Sequence, residues 1–249
     1  LASKDALARR VVAALPHLAV KVVVRTKSLG SALQAGRRRN TKVQRARLLA
    51  FRVRKERFRK VRRMVGAKRT SHLLAAGGTA ALVYGQANTG VSDTVLLAQR
   101  RAVAAASVIE GAGELDLTLV LADGSDTGRV DPAFAAHEDP IGMWAEAVWC
   151  HWLPRAALRS LATHAVQVAD TSARVWTKVH GPATAAVATA RRLGWTVLDE
   201  ARLMTDLGVV LDLDIDSPAF VVREVGQAVR RWRWRRIEGQ HPALKQGEG

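Results

Sequence analysis

Residues 40–66 read NTKVQRARLLAFRVRKERFRKVRRMVG, and this stretch decides how the chain folds. Leu48, Phe51, Phe58, Val61 and Val65 recur at three-, four- and seven-residue steps, which a 3.6-residue period gathers into one apolar stripe. Asn40 stands where a helix N-cap is wanted, and Gly66 where a helix stops. The spacing predicts a helix from Asn40 to about Val65, docked on a core by a narrow stripe. Off the stripe the helix is cationic, with Arg45, Arg52, Arg54, Lys55, Arg59, Arg62 and Arg63.

The same bias extends over the first third of the chain. Residues 1–70 hold 22 Lys+Arg against 2 Asp+Glu, residues 71–249 hold 17 against 20, and the two parts together give the net +17. The densest block runs from Arg37 to Arg69, with 16 basic residues and one acid, Glu56. A second patch closes the chain: Arg230, Arg231, Arg233, Arg235 and Arg236, threaded by Trp232 and Trp234. Such crowding repels itself unless a polyanion lies against it. Arginine outnumbers lysine 30 to 9, and its planar fork grips phosphate in a bidentate way that lysine cannot match. A GC-rich coding sequence also raises arginine, so composition alone does not choose between these causes.

The chain has 249 residues and 48% apolar composition, enough to bury a core in one or two domains and too apolar for a disordered polyelectrolyte. A single cysteine, Cys150, excludes an internal disulfide framework and a multi-cysteine metal knuckle. No apolar run approaches the roughly 20 residues of a membrane helix. Leu1 in place of Met, with no signal-peptide layout, suggests a stretch of something longer.

The expected fold is mainly α: helical-bundle domains with a short β element near residues 18–33 and short strands near 115–121 and 196–215. Pro16 ends a first helix over Ser3–Leu15. Val20, Val22, Val23 and Val24 read as strand, interrupted at Gly30 and ending before Gly36. Helices follow over Ser71–Asn88 and Ser92–Glu110. Gly111–Pro140 is acidic and turn-rich and reads as a linker. Helices resume over Ile141–Leu153, Pro154–Lys178 with a break near Val168–Thr171, and Pro182–Leu193. Thr196–Asp216 is strand and turn, and Ser217-Pro218 opens a last helix to about Ile237.

Few residues are arranged for chemistry. Asp212, Asp214 and Asp216 alternate, so a strand would put three carboxylates on one face, suited to a divalent cation or, more plainly, to the solvated approach to a helix cap. Cys150-His151 lacks a second ligand pair, and with Trp149 and Trp152 reads as buried aromatic packing. Gly77-Gly78 fits no phosphate loop and reads as a close helix contact or bend. On the last helix Trp232 and Arg236 share a face, as do Arg231 and Arg235, so Trp could stack on a base while Arg meets phosphate; alternatively the Trp pack inward and the Arg solvate the surface.

The order of these pieces resembles the end of a non-LTR (LINE-like) retrotransposon reverse transcriptase. Arg25-Thr26-Lys27-Ser28-Leu29-Gly30 stands where that family ends its palm in Lys-aromatic-Leu-Gly, with Ser28 in the aromatic position. The arginine-rich helix follows as the first thumb element. Leu82-Val83-Tyr84-Gly85-Gln86-Ala87 stands where the family often has Tyr-Gly-Xaa-Glu, with Ala87 in place of the acid. Gly90-Val91-Ser92-Asp93, Gly181-Pro182-Ala183, Leu193-Gly194-Trp195 and Arg230-Arg231-Trp232-Arg233-Trp234 continue the likeness. Its main part covers residues 20–105.

The resemblance implies the end of a palm over 1–36, a thumb-like helical domain over 37–110, an acidic linker over 111–140 and a helical connector over 141–249. It implies no catalytic residue, metal or cofactor in this chain; the magnesium-holding Tyr/Phe-Xaa-Asp-Asp box would lie in the palm upstream of Leu1. Its partners would be template RNA, primer or target DNA and the upstream palm and fingers, in the nucleus or cytoplasm of a eukaryote and without a membrane. The expected nucleic-acid contacts are Lys27, then Arg37, Arg38, Arg39 and Lys42, then the helix residues Arg45, Arg52, Arg54, Lys55, Arg59, Arg62 and Arg63, and finally Arg231, Trp232, Arg233, Trp234 and Arg235. Two alternatives stand beside this: a non-enzymatic basic RNA-binding or ribosome-associated helical protein, and a small metal-dependent enzyme using Asp212, Asp214 and Asp216.

Overall fold

A computed structural model describes residues 5–17, 25–28, 31–34, 40–107, 114–123 and 129–240. The chain is mainly helical, as its periodicity predicts. After helix α1 (Asp5–Ala14), strands β1 (Arg25–Ser28) and β2 (Ser31–Gln34) pair antiparallel, with Lys27 opposite Ala32. The valines at 20–24 lie outside the described residues. β2 runs alongside α2 (Lys42–Val65), the arginine-rich helix. Asn40 Oδ1 accepts the Lys42 N–H at 3.2 Å and leads the chain into that helix. Gly66, at φ +83°, lets the backbone turn out of it.

Three short pieces replace the single helix expected over Ser71–Asn88: α3 (Ala67–Leu73), a π-helical turn (Leu74–Thr79) and α4 (Ala80–Val83). The π turn carries Gly78, where a Cβ would lie 2.8 Å from both Leu74 Cδ1 and Phe58 Cζ. The missing side chain lets this turn press on Phe51 and Phe58, whose rings stack 5.9 Å apart. Helix α5 (Asp93–Ser107) packs along α2.

Residues expected as a strand form helix α6 (Leu115–Asp123). The run Leu115–Leu121 alternates apolar and polar at first, but Leu119 and Ala122 are buried, spaced as one helical face with Leu115 packed beside them. Helix α7 (Ala133–Trp149) starts well before the expected Ile141 and carries Pro140 inside it. The described parts of the stretch read as a linker are therefore largely helical. Helices α8 (Arg155–Asp170), α9 (Val175–Lys178) and α10 (Pro182–Leu193) follow, the first two separated where a break was expected. Gly194 closes α10 in the left-handed conformation, with Trp195 N–H returning to Ala190 O at 2.9 Å. Strands β3 (Thr196–Val197), β4 (Arg202–Met204) and β5 (Val210–Asp212) make an antiparallel sheet in that order. Helix α11 (Pro218–Gln240) completes the fold, its first turn capped by Ser217 Oγ accepting the Phe220 N–H.

Among the described residues two large apolar clusters form, with a small third of Val179, Ala185 and Ala188. One gathers Phe51, Leu74, Leu82, Val103, Ala106 and Leu119 from α2, α4, α5, α6 and the π turn. The other gathers Ile141, Trp144, Leu158, Val187, Trp195, Leu203 and Val225 from α7, α8, α10, α11 and the sheet. Helix α5 serves both, with Leu96 in the second cluster and Val103 in the first. Among the described residues no helix is long and apolar enough to cross a membrane.

Replacing Gly78 by Val forces a branched side chain into the Leu74 and Phe58 contacts. The expected cost is about 1–3 kcal/mol, the usual range for overpacking, read as a lower midpoint in chemical unfolding followed by circular dichroism.

Candidate nucleic-acid interface

Helix α2 carries eleven Lys and Arg in twenty-four residues and one acid, Glu56. Its buried side is the predicted stripe: Phe51 and Gln44 are buried, Leu48, Phe58 and Val61 half-buried, and only Val65 lies exposed. Gln44 Nε2 donates to Gly90 O at 2.8 Å. On the opposite side Lys42, Arg45, Arg52, Arg57, Lys60 and Arg63 are exposed, and Arg54 is exposed at the edge of the stripe, in the row of Val61 and Val65. Arg45, Arg52 and Arg63 are close to two and three helical turns apart and fall in one row; Arg57 lies on the other flank, with Arg54 beyond it beside the stripe. Between the flanks sit Leu49, Val53 and Met64, at 65, 74 and 82% exposure. The outward surface is a strip of these apolar residues, interrupted by Lys42 and Lys60, with arginines on its margins.

Not every predicted contact faces outward. Arg59 Nε donates to Ala105 O at 3.0 Å, and Arg62 donates to Ser107 O, so both guanidiniums cap the C-terminal carbonyls of α5. Glu56 takes Lys55 at 3.5 Å and Arg59 at 3.0 Å. Such exposed pairs contribute roughly 0–1 kcal/mol and leave the field of the helix largely positive. Lys27 lies on β1, and Arg37, Arg38 and Arg39 fall outside the described residues. Arg57 and Lys60, not among the expected contacts, share the exposed side; the 3.6-residue period alone would have found them.

The closing patch departs further from expectation. Arg233 is 4% exposed and donates to Asp123, with its Nε 3.3 Å from Asp131, so it cannot reach a polyanion at the surface. Arg231 donates to both oxygens of Asp206 at 3.0 and 2.7 Å, and Arg235 approaches the same carboxylate at 3.3 Å. Trp232 is half-buried, with the Arg100 and Arg236 guanidiniums 5.3 and 5.1 Å from its ring centre and His137 tilted against it at 5.4 Å. Trp234 alone of the pair is open, at 51% exposure.

The partners of Arg233 and Arg236 come from the stretch read as a linker, whereas Asp206 belongs to the β4–β5 turn. Arg100, 1% exposed, sits on α5 between Leu96 and Val103 and grips Asp131 through Nε at 2.9 Å and Nη2 at 2.8 Å. It also lies 2.7 Å from Asp116, which takes Arg236 at 3.2 Å. Asp131 accepts the Ala133 N–H at 2.9 Å and so fastens the start of α7, while Asp123 accepts the N–H groups of Val130 and Asp131 at 3.0 Å. Burial pushes the Asp123 carboxyl up despite its Arg233 partner. An acid inside an apolar run, as Asp116 is, was the available sign of a buried pair.

Two neighbouring groups titrate abnormally. Burial, with Arg192 nearby, drops His137 to about 3, so it is neutral at pH 7 while its Nδ1 meets Ala133 O at 2.6 Å. Burial beside Glu138 raises Asp139 to about 7.

Asp212, Asp214 and Asp216 serve the turn before α11. Asp212 N–H donates to Asp216, Asp214 N–H donates to Asp212, and Asp214 takes Arg155 at 2.6 and 2.7 Å. Among the described residues no group of three or more His, Cys, Asp or Glu is placed to hold a metal ion. Cys150 is exposed, and Trp149 and Trp152 are 41 and 53% exposed, contrary to the packing expected for them; Trp144 is the buried tryptophan of α7. No family model, curated protein or solved structure matches the chain.

Arg100→Met takes the buried guanidinium from two buried carboxylates and leaves them only the longer contacts of Arg236 and Arg233, and a loss of about 3 kcal/mol is expected in urea unfolding. Asp139 holds a proton in the fold between its ordinary 3.8 and about 7 that the unfolded chain has released, so its contribution declines as pH rises through that window. Asp139→Asn should therefore melt above wild type at pH 8, with the gap closing towards pH 4.

Proposed function

We propose that this chain is the thumb and connector portion of a non-LTR retroelement RNA-directed DNA polymerase, and that α2 grips the template–primer duplex. The observation that carries the reading is the outward face of α2. Its arginines stand on both sides of an apolar strip with one carboxylate among them, whereas the arginines of α11 are largely matched by internal aspartates.

A polymerase has to hold a duplex without reading its sequence, so that the duplex can slide. Phosphate contacts from a rigid helix position a duplex and carry no sequence information. From Arg45 to Arg63 the helix spans about 27 Å at 1.5 Å per residue, comparable to about eight steps of a duplex at 3.4 Å. Two basic margins suit the two phosphate backbones that border a groove, and the strip of Leu49, Val53 and Met64 suits the sugar edges between them. The hairpin β1–β2 beside α2 favours a palm junction over a stand-alone RNA-binding helical protein. The chain contains no Tyr/Phe-Xaa-Asp-Asp sequence, so polymerisation would require the upstream palm.

Binding of a labelled RNA–DNA duplex, followed by anisotropy across a salt series, tests this. The expected result is steeply salt-dependent and sequence-tolerant affinity, with Arg45→Gln/Arg52→Gln/Arg63→Gln lowering the slope of log K against log salt by about 2–3. Affinity unchanged by salt would overturn the reading.

A further inference from the structure

Alongside α11 lies a cleft of about 790 Å³, bordered by α6, α7 and the β4–β5 turn. Its walls carry four guanidiniums, from Arg230, Arg231, Arg233 and Arg235, against two carboxylates, Asp123 and Asp206. Two positive charges are thus in surplus.

The carboxylates sort these arginines into two kinds. Arg233 and Arg231 are committed, the first to Asp123 and the second in a bidentate pair with Asp206. Arg235 reaches Asp206 only at 3.3 Å, shares it with Arg231, and has a side chain 54% exposed. Arg230 is exposed and has no carboxylate within ion-pair distance among the described residues; its guanidinium lies 6.0 Å from the Phe134 ring centre. Arg230, near Glu138 but not ion-paired with it, and Arg235, which shares its one carboxylate, are the least neutralised of the four and can turn to an anion. Between them in sequence Trp234 offers an open indole, and Leu207, 65% exposed, stands at the rim. A flat apolar face beside incompletely neutralised guanidiniums selects a ligand that is aromatic and anionic at once.

We propose that this cleft is a second binding site, for single-stranded nucleic acid, in which a base stacks on Trp234 and the adjoining phosphates meet Arg230 and Arg235. It rests on the reading of the chain as a nucleic-acid binder but uses none of the residues of α2. Base stacking tolerates any sequence, because every base has a π-face. Asp206 and Asp123 hold the other two arginines in place, so the walls are set before a strand arrives. The cleft would take an unpaired template or target strand, while α2 takes duplex.

The test uses the whole chain, a short labelled oligouridylate and a labelled RNA–DNA duplex, with Trp234→Ala, Trp234→Phe, Arg230→Gln and the triple α2 variant. Trp234 and Arg230 are exposed, so their loss leaves the core intact. The proposal expects Trp234→Ala to weaken oligouridylate binding about tenfold, within the range of one stacked base, and Arg230→Gln to weaken it severalfold. Trp234→Phe should keep the affinity but lose part of the tryptophan quenching on binding. Duplex affinity should not change in any of the three. Oligouridylate affinity unaltered in Trp234→Ala would overturn the site. So would equal losses on duplex, an abasic strand binding as tightly as the oligouridylate, or uridine monophosphate binding in the same range. The reading of α2 fails separately, if the triple variant keeps full duplex affinity.

Discussion

One guanidinium holds the two halves of this protein in register. Arg100 lies on α5 between a residue of one apolar cluster and a residue of the other, and its partners Asp116 and Asp131 come from α6 and the entry to α7. Asp116 and Asp131 also meet Arg236 and Arg233 of α11. A buried charge tolerates no slip, because a shift by one residue leaves carboxylates and guanidiniums unpaired in a medium that cannot solvate them. The apolar clusters supply cohesion, but apolar contacts are non-directional. The ionic layer between them fixes which face of each helix meets which.

The same arithmetic explains how charge is distributed. Beyond residue 70 the chain is nearly balanced, and the structure shows where much of that balance goes: Asp116, Asp123, Asp131, Asp206, Asp214 and Glu200 each hold an arginine. Before residue 70 there is almost nothing to pair with. Glu56 is the acid of α2, and Arg47, Arg59 and Arg62 reach backbone carbonyls, Arg59 in addition to Glu56. Arginine on the inside and arginine on α2 are the same residue type under different local bookkeeping, which composition cannot distinguish.

Elements with both ends marked could be read from sequence. Helix α10 has Pro182 in its first turn and Gly194 at its end, and α2 has Asn40 before it and Gly66 after, so their limits were legible. The β3–β5 region was legible as strand and turn over Thr196–Asp216. Helix α6 was not, because seven residues of mixed alternation fit either period. The roles of Arg233 and Arg236 were hidden for a different reason: their partners Asp123 and Asp116 lie 110 and 120 residues away. A local pattern carries no trace of such a pairing. Trp149 and Trp152 were misjudged as core because aromatic residues near a helix end pack inward or outward according to a neighbour the pattern does not show.

The two carbonyl contacts made by Arg59 and Arg62 have a mechanical meaning. They bolt the last two turns of α2 to the far end of α5, on the side away from its open margins. A helix fastened in this way cannot roll about its long axis without giving up both attachments. Its outer arginines keep a constant azimuth, and any change of hold on a passing strand has to come from moving the whole helical unit as a lever.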